Sequence, residues 1–286
     1  MSADLAAGPP AGARADWTID QGFERYTPEE HQVWVTLYER QAALLPGRAC
    51  DEFLNGLKAL DLHGQGIPDF REMNRKLNAL TGWTVVAVPG LVPDEVFFDH
   101  LANRRFPAGR FIRRPDQLDY LEEPDVFHDV FGHVPMLTDP TFADYMKAYG
   151  EGGLRATRLG RLHNLARLYW YTVEFGLMQT PAGLRIYGAG IVSSRGESEF
   201  SVADPSPNRI GFDLVRVMRT LYRIDDYQQV YFVLPSLQGL LDDTLQDFAP
   251  IYDALARLPD IAIDAIVPED QVFTRGTQAY AKAHAA

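Results

Sequence analysis

The chain has 286 residues, 46% of them hydrophobic, with a formal net charge of -12 and a single cysteine. That length is near the upper size for one hydrophobic core, and the acidic balance argues against nucleic acid or an anionic membrane as a natural partner. One thiol, Cys50, rules out an internal disulfide and fits a reducing cytoplasm, and no apolar run approaches a membrane span.

Taken from the start, residues 1–15 are rich in Ala, Gly and Pro but lack the basic-then-apolar layout of a signal peptide. A disordered tail over 1–20 and one domain over 21–286 are expected. Thr27-Pro28-Glu29-Glu30 reads as a capping box with proline in the first turn, opening a helix to about Leu45. Pro68, Pro93 and Pro140 stand where new helices begin, with Asp69 and Asp94-Glu95 suited to first turns. Short β-branched or aromatic runs predict strands at 84–88, 110–113, 184–187 and 230–233. Apolar periodicity predicts one long helix over 161–178, another over 211–221, and a third over 237–258 bent near Pro250. No strand-helix alternation demands a parallel sheet. The expected class is α+β, predominantly helical, with small peripheral sheets.

Two segments carry chemistry. His128 and His133 bracket the run His-Asp-Val-Phe-Gly-His. On a straight α-helix, residues five apart diverge by roughly 140°, so the helix is expected to end between them. Gly132 and Pro135 supply a break, while Pro124, with Glu122 and Glu123 just upstream, suits the start. Glu174 lies downstream among Trp170, Tyr171, Leu177 and Met178, where an unpaired carboxylate is costly to bury. A metal cation would resolve that cost, and so would an ion pair with Arg167 at the rim. Two imidazoles and one carboxylate are the ligand set of mononuclear non-haem iron sites that leave one face open. Zinc also takes three protein ligands, so a zinc-dependent hydrolase or a non-catalytic metal-binding protein is the competing reading. No His-Glu-x-x-His motif occurs.

The segment from Glu123 to Pro135 resembles the iron-binding signature of the pterin-dependent aromatic amino acid hydroxylases. Tyr169-Trp170-Tyr171-Thr172-Val173-Glu174-Phe175-Gly176-Leu177 is similar to their third-ligand segment, and Tyr187-Gly188-Ala189-Gly190-Ile191-Val192-Ser193-Ser194 to the stretch that closes their substrate pocket. The likeness runs from about Tyr26 to about Ala256 and is strongest to the short, single-domain bacterial members. It implies hydroxylation of L-phenylalanine to L-tyrosine with Fe(II) on His128, His133 and Glu174, a tetrahydropterin, and O2 as co-substrate. A tryptophan hydroxylase is the alternative within the family.

The resemblance further implies that Phe97, Val92, Asp94 and Asp129 meet the pterin, the shorter Asp129 leaving room for a bridging water where animal members commonly carry glutamate. It puts Arg113, Trp170, Ser193, Pro124, Gly190 and Ile224 around the substrate. Arg113 matches the arginine that pairs with the substrate carboxylate, a task suited to a bidentate guanidinium. Ile224 falls where tyrosine-specific members place aspartate, and an apolar wall there favours a ring without a hydroxyl. Leu121 departs from a polar residue of the animal phenylalanine hydroxylases near the carboxylate, which removes one expected substrate hydrogen bond. Without a C-terminal heptad run, a cytoplasmic monomer with small-molecule partners is expected.

Overall fold

The computed structural model of the chain describes residues 8–119 and 123–284. Residues 1–7 of the expected tail, and Leu121 and Glu122, lie outside the described residues. Helix α1 (Pro28–Leu44) opens as the capping box predicts. The Thr27 hydroxyl accepts from the Glu30 N–H at 3.2 Å, and the Glu30 carboxylate accepts from the Thr27 N–H at 2.7 Å. Pro28 loses nothing there, because a first-turn N–H has no intrahelical acceptor. Helices α2 (Asp51–Leu60) and α3 (Phe70–Thr81) follow. Asp69 caps α3 by accepting from the Arg71 N–H at 2.9 Å, so Pro68 precedes the cap.

Strand β1 (Thr84–Val88), helix α4 (Asp94–Ala102) and strand β2 (Arg105–Gly109) form a compact crossover unit. The strands pair in parallel, with Thr84 opposite Arg105. This corrects two expectations. A parallel pair exists, and residues 110–113 are irregular chain beyond the end of β2. Pro107 and Gly109 hide β2 from a propensity reading, since both residue types are depleted in strands.

Helix α5 (Pro140–Arg158) is capped by Asp139, which accepts from the Phe142 N–H at 2.9 Å. After helix α6 (Leu162–Tyr169) come strands β3 (Leu177–Thr180) and β4 (Gly183–Ile186), then helices α7 (Ala189–Val192) and α8 (Arg195–Ala203). Strand β5 (Asn208–Gly211), helix α9 (Leu214–Arg219) and strand β6 (Val230–Leu234) lead to helices α10 (Leu237–Leu245) and α11 (Ala249–Leu255). Strand β7 (Val272–Thr274) and helix α12 (Ala279–His284) complete the described chain. The second sheet runs β4-β3-β6-β5-β7, parallel at β3/β6 and β5/β6 and antiparallel at both edges. The class is α+β with helices dominant.

Two predicted helices are shorter than periodicity suggested. Gly211 belongs to β5, and Asp213 starts α9 by accepting from the Arg216 N–H at 2.8 Å. The 237–258 run breaks outright between α10 and α11, with Pro250 in the first turn of α11, where its missing N–H costs nothing. At the other end of the chain, the boundary at residue 20 differs from the packing. Trp17 is buried against Val88 and Val92, and the Asp16 carbonyl meets the His100 ring at 2.8 Å.

One hydrophobic core runs from Val33 to Leu255. Its centre lies under the segment that carries the histidines, where Phe127 and Phe131 stack at 4.7 Å and 9° between Trp34 and Phe53. Helix α2 presses on the chain just after His133, and a Cβ added at Gly56 would stand 2.1 Å from the Pro135 carbonyl oxygen. Gly56→Ala is therefore expected to destabilise the fold by about 1–3 kcal/mol through overpacking. A urea midpoint equal to that of the parent chain would show that the contact yields freely.

Candidate active site

The break expected between His128 and His133 is absent; the helix widens instead. Residues Phe127–His133 form a π-helix, and the chain continues directly into a 3-10 turn over Val134–Thr138 with Pro135 at its start. A π-helix bonds residue i to i+5, so the five-residue spacing that diverges on an α-helix brings both rings to one face. Pro124 and Asp125 precede the helix. The Asp125 carboxylate accepts from the His128 N–H at 3.0 Å and so fixes where the turn starts. Gly132 serves close approach, since a Cβ there would lie 3.0 Å from the Ala189 carbonyl oxygen of α7.

Glu174 arrives by the same device. Helix α6 widens into a π-helix over Trp170–Glu174, closed by the Phe175 N–H bonding the Trp170 carbonyl at 2.9 Å. The long helix expected over 161–178 therefore ends at Glu174, and Leu177 and Met178 lie in β3. Gly176 permits the reversal, because a Cβ there would stand 2.1 Å from the Tyr187 ring. Arg167 is not the partner of Glu174: it pairs with Asp260 at 2.6 Å.

The three side chains meet. His128 Nε2 lies 3.2 Å from His133 Nε2, and the Glu174 carboxylate oxygens lie 3.6 Å and 3.3 Å from the two rings. All donor atoms fall within 4.8 Å of one another. Ser193 sets the tautomer of one ring. Its hydroxyl donates to the Ala189 carbonyl at 2.7 Å and so accepts from His128 Nδ1–H at 3.0 Å, which leaves a lone pair on Nε2. Burial holds the His128 ring down to about 4, against the raising charge of Glu174. Burial would push the Glu174 carboxyl up, but the His133 and His128 rings and the Gly190 N–H outweigh it and hold the group below its usual range. A neutral imidazole lone pair aimed at a second imidazole and an ionised carboxylate is a donor set that fits a divalent cation.

Beside this cluster lies a cavity of about 490 Å³. Arg113, Pro124, Trp170, Gly190, Ser193 and Ile224, all expected at the substrate, line it together with His128 and Glu174. Ile224 sits at its rim, 69% exposed. Arg113 is held in a fork by Asp125, at 2.9 Å from Nε to Oδ2 and from Nη2 to Oδ1, and Nη1 reaches the Leu118 carbonyl at 3.3 Å. Among the described residues, three of the five guanidinium N–H groups are thus engaged, and the other two are available to an anion. Phe97, Val92, Asp94 and Asp129 do not line this cavity. Phe97 meets Tyr169 edge-on at 5.8 Å, and Tyr169 lies over the His133 ring at 6.3 Å. Val92 is buried beside Trp17, and Asp94 is exposed in the first turn of α4. Asp129 accepts from the Gly109 N–H at 2.7 Å, and burial pushes its carboxyl up to about 7.

Sequence reasoning missed Asp125, Tyr169, Glu197 and Gln228. Asp125 had a usable signal, since an aspartate three residues before His128 is the N-cap spacing. The others had none, because the partners that bring them to the site are distant in the chain. Glu197 lines the cavity and accepts from the Tyr231 hydroxyl and, at 3.4 Å, from the Gln228 N–H. Burial pushes it up to about 7 from 4.5, with Asp226 adding to the rise and the two hydrogen bonds opposing it. The folded chain thus binds this proton more tightly than the unfolded one. Its contribution to stability is full below about 4.5 and fades as pH climbs toward 7, by on the order of 3 kcal/mol. Glu197→Gln is expected to flatten that decline in urea midpoints measured at pH 5 and pH 7. An unchanged slope would assign the titration elsewhere.

The chain is similar to known proteins over most of its length. The biopterin-dependent aromatic amino acid hydroxylase family matches residues 22–267. A phenylalanine-4-hydroxylase of Caulobacter vibrioides is 75% identical over 284 residues, covering 99% of this chain and 97% of its own. The iron- and phenylalanine-bound crystal structure of phenylalanine hydroxylase from Chromobacterium violaceum superposes with a TM-score of 0.87 at 56% identity, covering 93% of this chain and 96% of that one. The cobalt-bound structure of the same enzyme gives 0.89 at 55% identity, covering 95% and 99%. With two histidines and a glutamate converging beside an aromatic-walled cavity, and with the family pattern running through nearly all of the folded chain, this protein belongs to the biopterin-dependent aromatic amino acid hydroxylases.

Proposed function

We propose that the chain is a phenylalanine 4-monooxygenase, converting L-phenylalanine to L-tyrosine with O2 and a tetrahydropterin at a mononuclear Fe(II) held by His128, His133 and Glu174. The observation that carries this reading is the convergence of those three donor sets on one point at the wall of the cavity. Fe(II) and the pterin supply together the activation of O2 that side-chain acids and bases cannot bring to an aromatic C–H bond.

The protein's own part is positioning. The free edge of Arg113 takes the substrate carboxylate, with Ser193 beside it, and Trp170 offers its face to the ring. Pro124 and Gly190 shape the wall, and Ile224 keeps the rim apolar. Phe97 and Val92 offer an apolar bed for the pterin, with Asp94 and Asp129 as its polar contacts. The core packed beneath the π-helices keeps water from the buried side of the ligands.

A single domain is supported by the one continuous core, and the packing of Trp17 on Val88 and Val92 carries it back before the expected start at residue 21. A monomer in the cytoplasm is the accompanying reading. The one cysteine, Cys50, is a free buried thiol, which fits a reducing compartment. Among the described residues no helix is long and apolar enough to cross a membrane.

The test is turnover of phenylalanine, tryptophan and tyrosine with tetrahydropterin, after loading with Fe(II) or with Zn(II). Tyrosine formation from phenylalanine with iron alone is expected. Faster oxidation of tryptophan would move the substrate assignment, and hydrolytic activity with zinc in place of oxygenation would replace the reaction class.

A further inference from the structure

Gln228 is 3% exposed and sits where three parts of the cavity wall meet. Its Oε1 accepts from the Trp170 indole Nε1–H at 2.9 Å. Its Nε2 donates to the carbonyls of Arg223 at 3.1 Å and Asp226 at 3.3 Å. The partners settle which way the amide points, since an indole nitrogen only donates and a carbonyl only accepts. The Gln228 backbone N–H in turn donates to the Glu197 carboxyl of α8, which the Tyr231 hydroxyl of β6 also meets.

Trp170 is therefore tied to the rim in two ways. Through Gln228 it is bonded to the backbone at 223 and 226, and through its face it stacks on Tyr222 at 4.6 Å and 24°. The outer face of the rim is open, with Tyr222 37% and Ile224 69% exposed, while its base is also held by the Tyr171 hydroxyl on the Leu221 carbonyl at 2.6 Å and by the Tyr280 hydroxyl on Asp226 at 3.0 Å. Between those anchors the exposed stretch is free to open, and hydrogen bonds from a buried side chain to its carbonyls at 223 and 226 set where it rests against the indole.

We propose that Gln228 is a positioning residue of the substrate cavity: it sets the plane of the Trp170 indole and locks that plane to the 222–226 rim, so that aromatic amino acids are selected by indole and loop acting as one body. The proposal rests on reading the cavity as the aromatic amino acid site. A glutamine that merely filled space would satisfy the loop carbonyls without any dependence on Trp170. Coupling between the two residues is the distinguishing property.

The test is a double-mutant cycle of Gln228→Leu and Trp170→Phe, read in two ways. In steady-state kinetics, Gln228→Leu is expected to raise KM for phenylalanine about tenfold, the scale of one buried hydrogen bond, with kcat changed by less than about twofold. Its preference for phenylalanine over tryptophan should narrow by a similar factor. In the Trp170→Phe background, where the indole donor is already gone, the same change should add little. The second reading needs neither metal nor substrate. In 15N-tryptophan-labelled protein, the indole Nε1–H signal that vanishes in Trp170→Phe should shift and exchange faster in Gln228→Leu.

Fold-changes that multiply across the cycle, or an indole signal untouched by Gln228→Leu, would overturn the proposal. If Gln228→Leu does not fold, Trp170→Phe alone decides, because loss of the donor should speed amide exchange across 222–227. Unchanged exchange there would overturn it as well. A protein inactive on phenylalanine in every form would sink the functional reading, whereas a shifted indole signal in Gln228→Leu would still carry the positioning role.

Discussion

Glu174→Ala is expected to lower the affinity for Fe(II) or Co(II) by more than about 100-fold, since even residues that only support a ligand change affinity by about 10–100-fold. Hydroxylation should fall with it to background. The geometry explains the size of the effect. His128 Nε2 and His133 Nε2 face each other at 3.2 Å, and the Glu174 carboxylate is the one anionic member of the cluster. Without it, a cation would meet two neutral donors in a pocket whose His133 wall is almost fully buried. Divalent ions with oxygen and imidazole preference gain much of their binding from the carboxylate charge. The fold should survive, because the carboxylate's partners are the two rings and the Gly190 N–H at the cavity wall and not the apolar core beneath. Calorimetric titration with Co(II), alongside tyrosine formation with Fe(II), separates loss of metal from loss of structure. Wild-type affinity in the variant would remove Glu174 from the ligand set.

The ligands themselves were legible because their chemistry is local: residue types, order and spacing are all in the sequence. How they converge was not. A break between His128 and His133 was the natural inference from 3.6 residues per turn, yet the chain keeps its hydrogen bonds and changes the period instead. Nothing in residue type distinguishes a π-turn from an α-turn. What stabilises it is tertiary: the Asp125 cap at one end and the close contact of Gly132 with α7 at the other. The same holds at Glu174, where periodicity carried the helix on to Met178 and only the crowding of Gly176 against Tyr187 ends it.

Strands with regular β-branched patterns, such as β1 and β6, were visible, whereas β2, with Pro107 and Gly109, was not. Helix starts were read well wherever a cap and a proline coincided, as at Thr27-Pro28 and Asp139-Pro140. The wall of the cavity was legible only through resemblance. Glu197 and Gln228 have partners 31 to 58 positions away, and no local pattern points to such contacts.

Arg113→Met should have the largest effect on stability of any change at the site. Asp125 is fully buried and Arg113 is 8% exposed, so neither charge has water to fall back on. Breaking a buried pair by removing one partner costs about 3–5 kcal/mol, because the survivor is left as an uncompensated charge. Here the survivor also holds the π-helix, since the same carboxylate caps His128. The KM for phenylalanine should rise about 100-fold as well, if the free edge of the guanidinium takes the substrate carboxylate. The two consequences can be pulled apart with Asp125→Asn, which keeps the shape and an acceptor for the His128 N–H but discards the charge. In the double variant most of the stability should return, as urea midpoints would show, while KM should stay high. Recovery of both would mean that Arg113 serves the fold alone, and recovery of neither would mean that the salt bridge is held for its geometry and not for its charge.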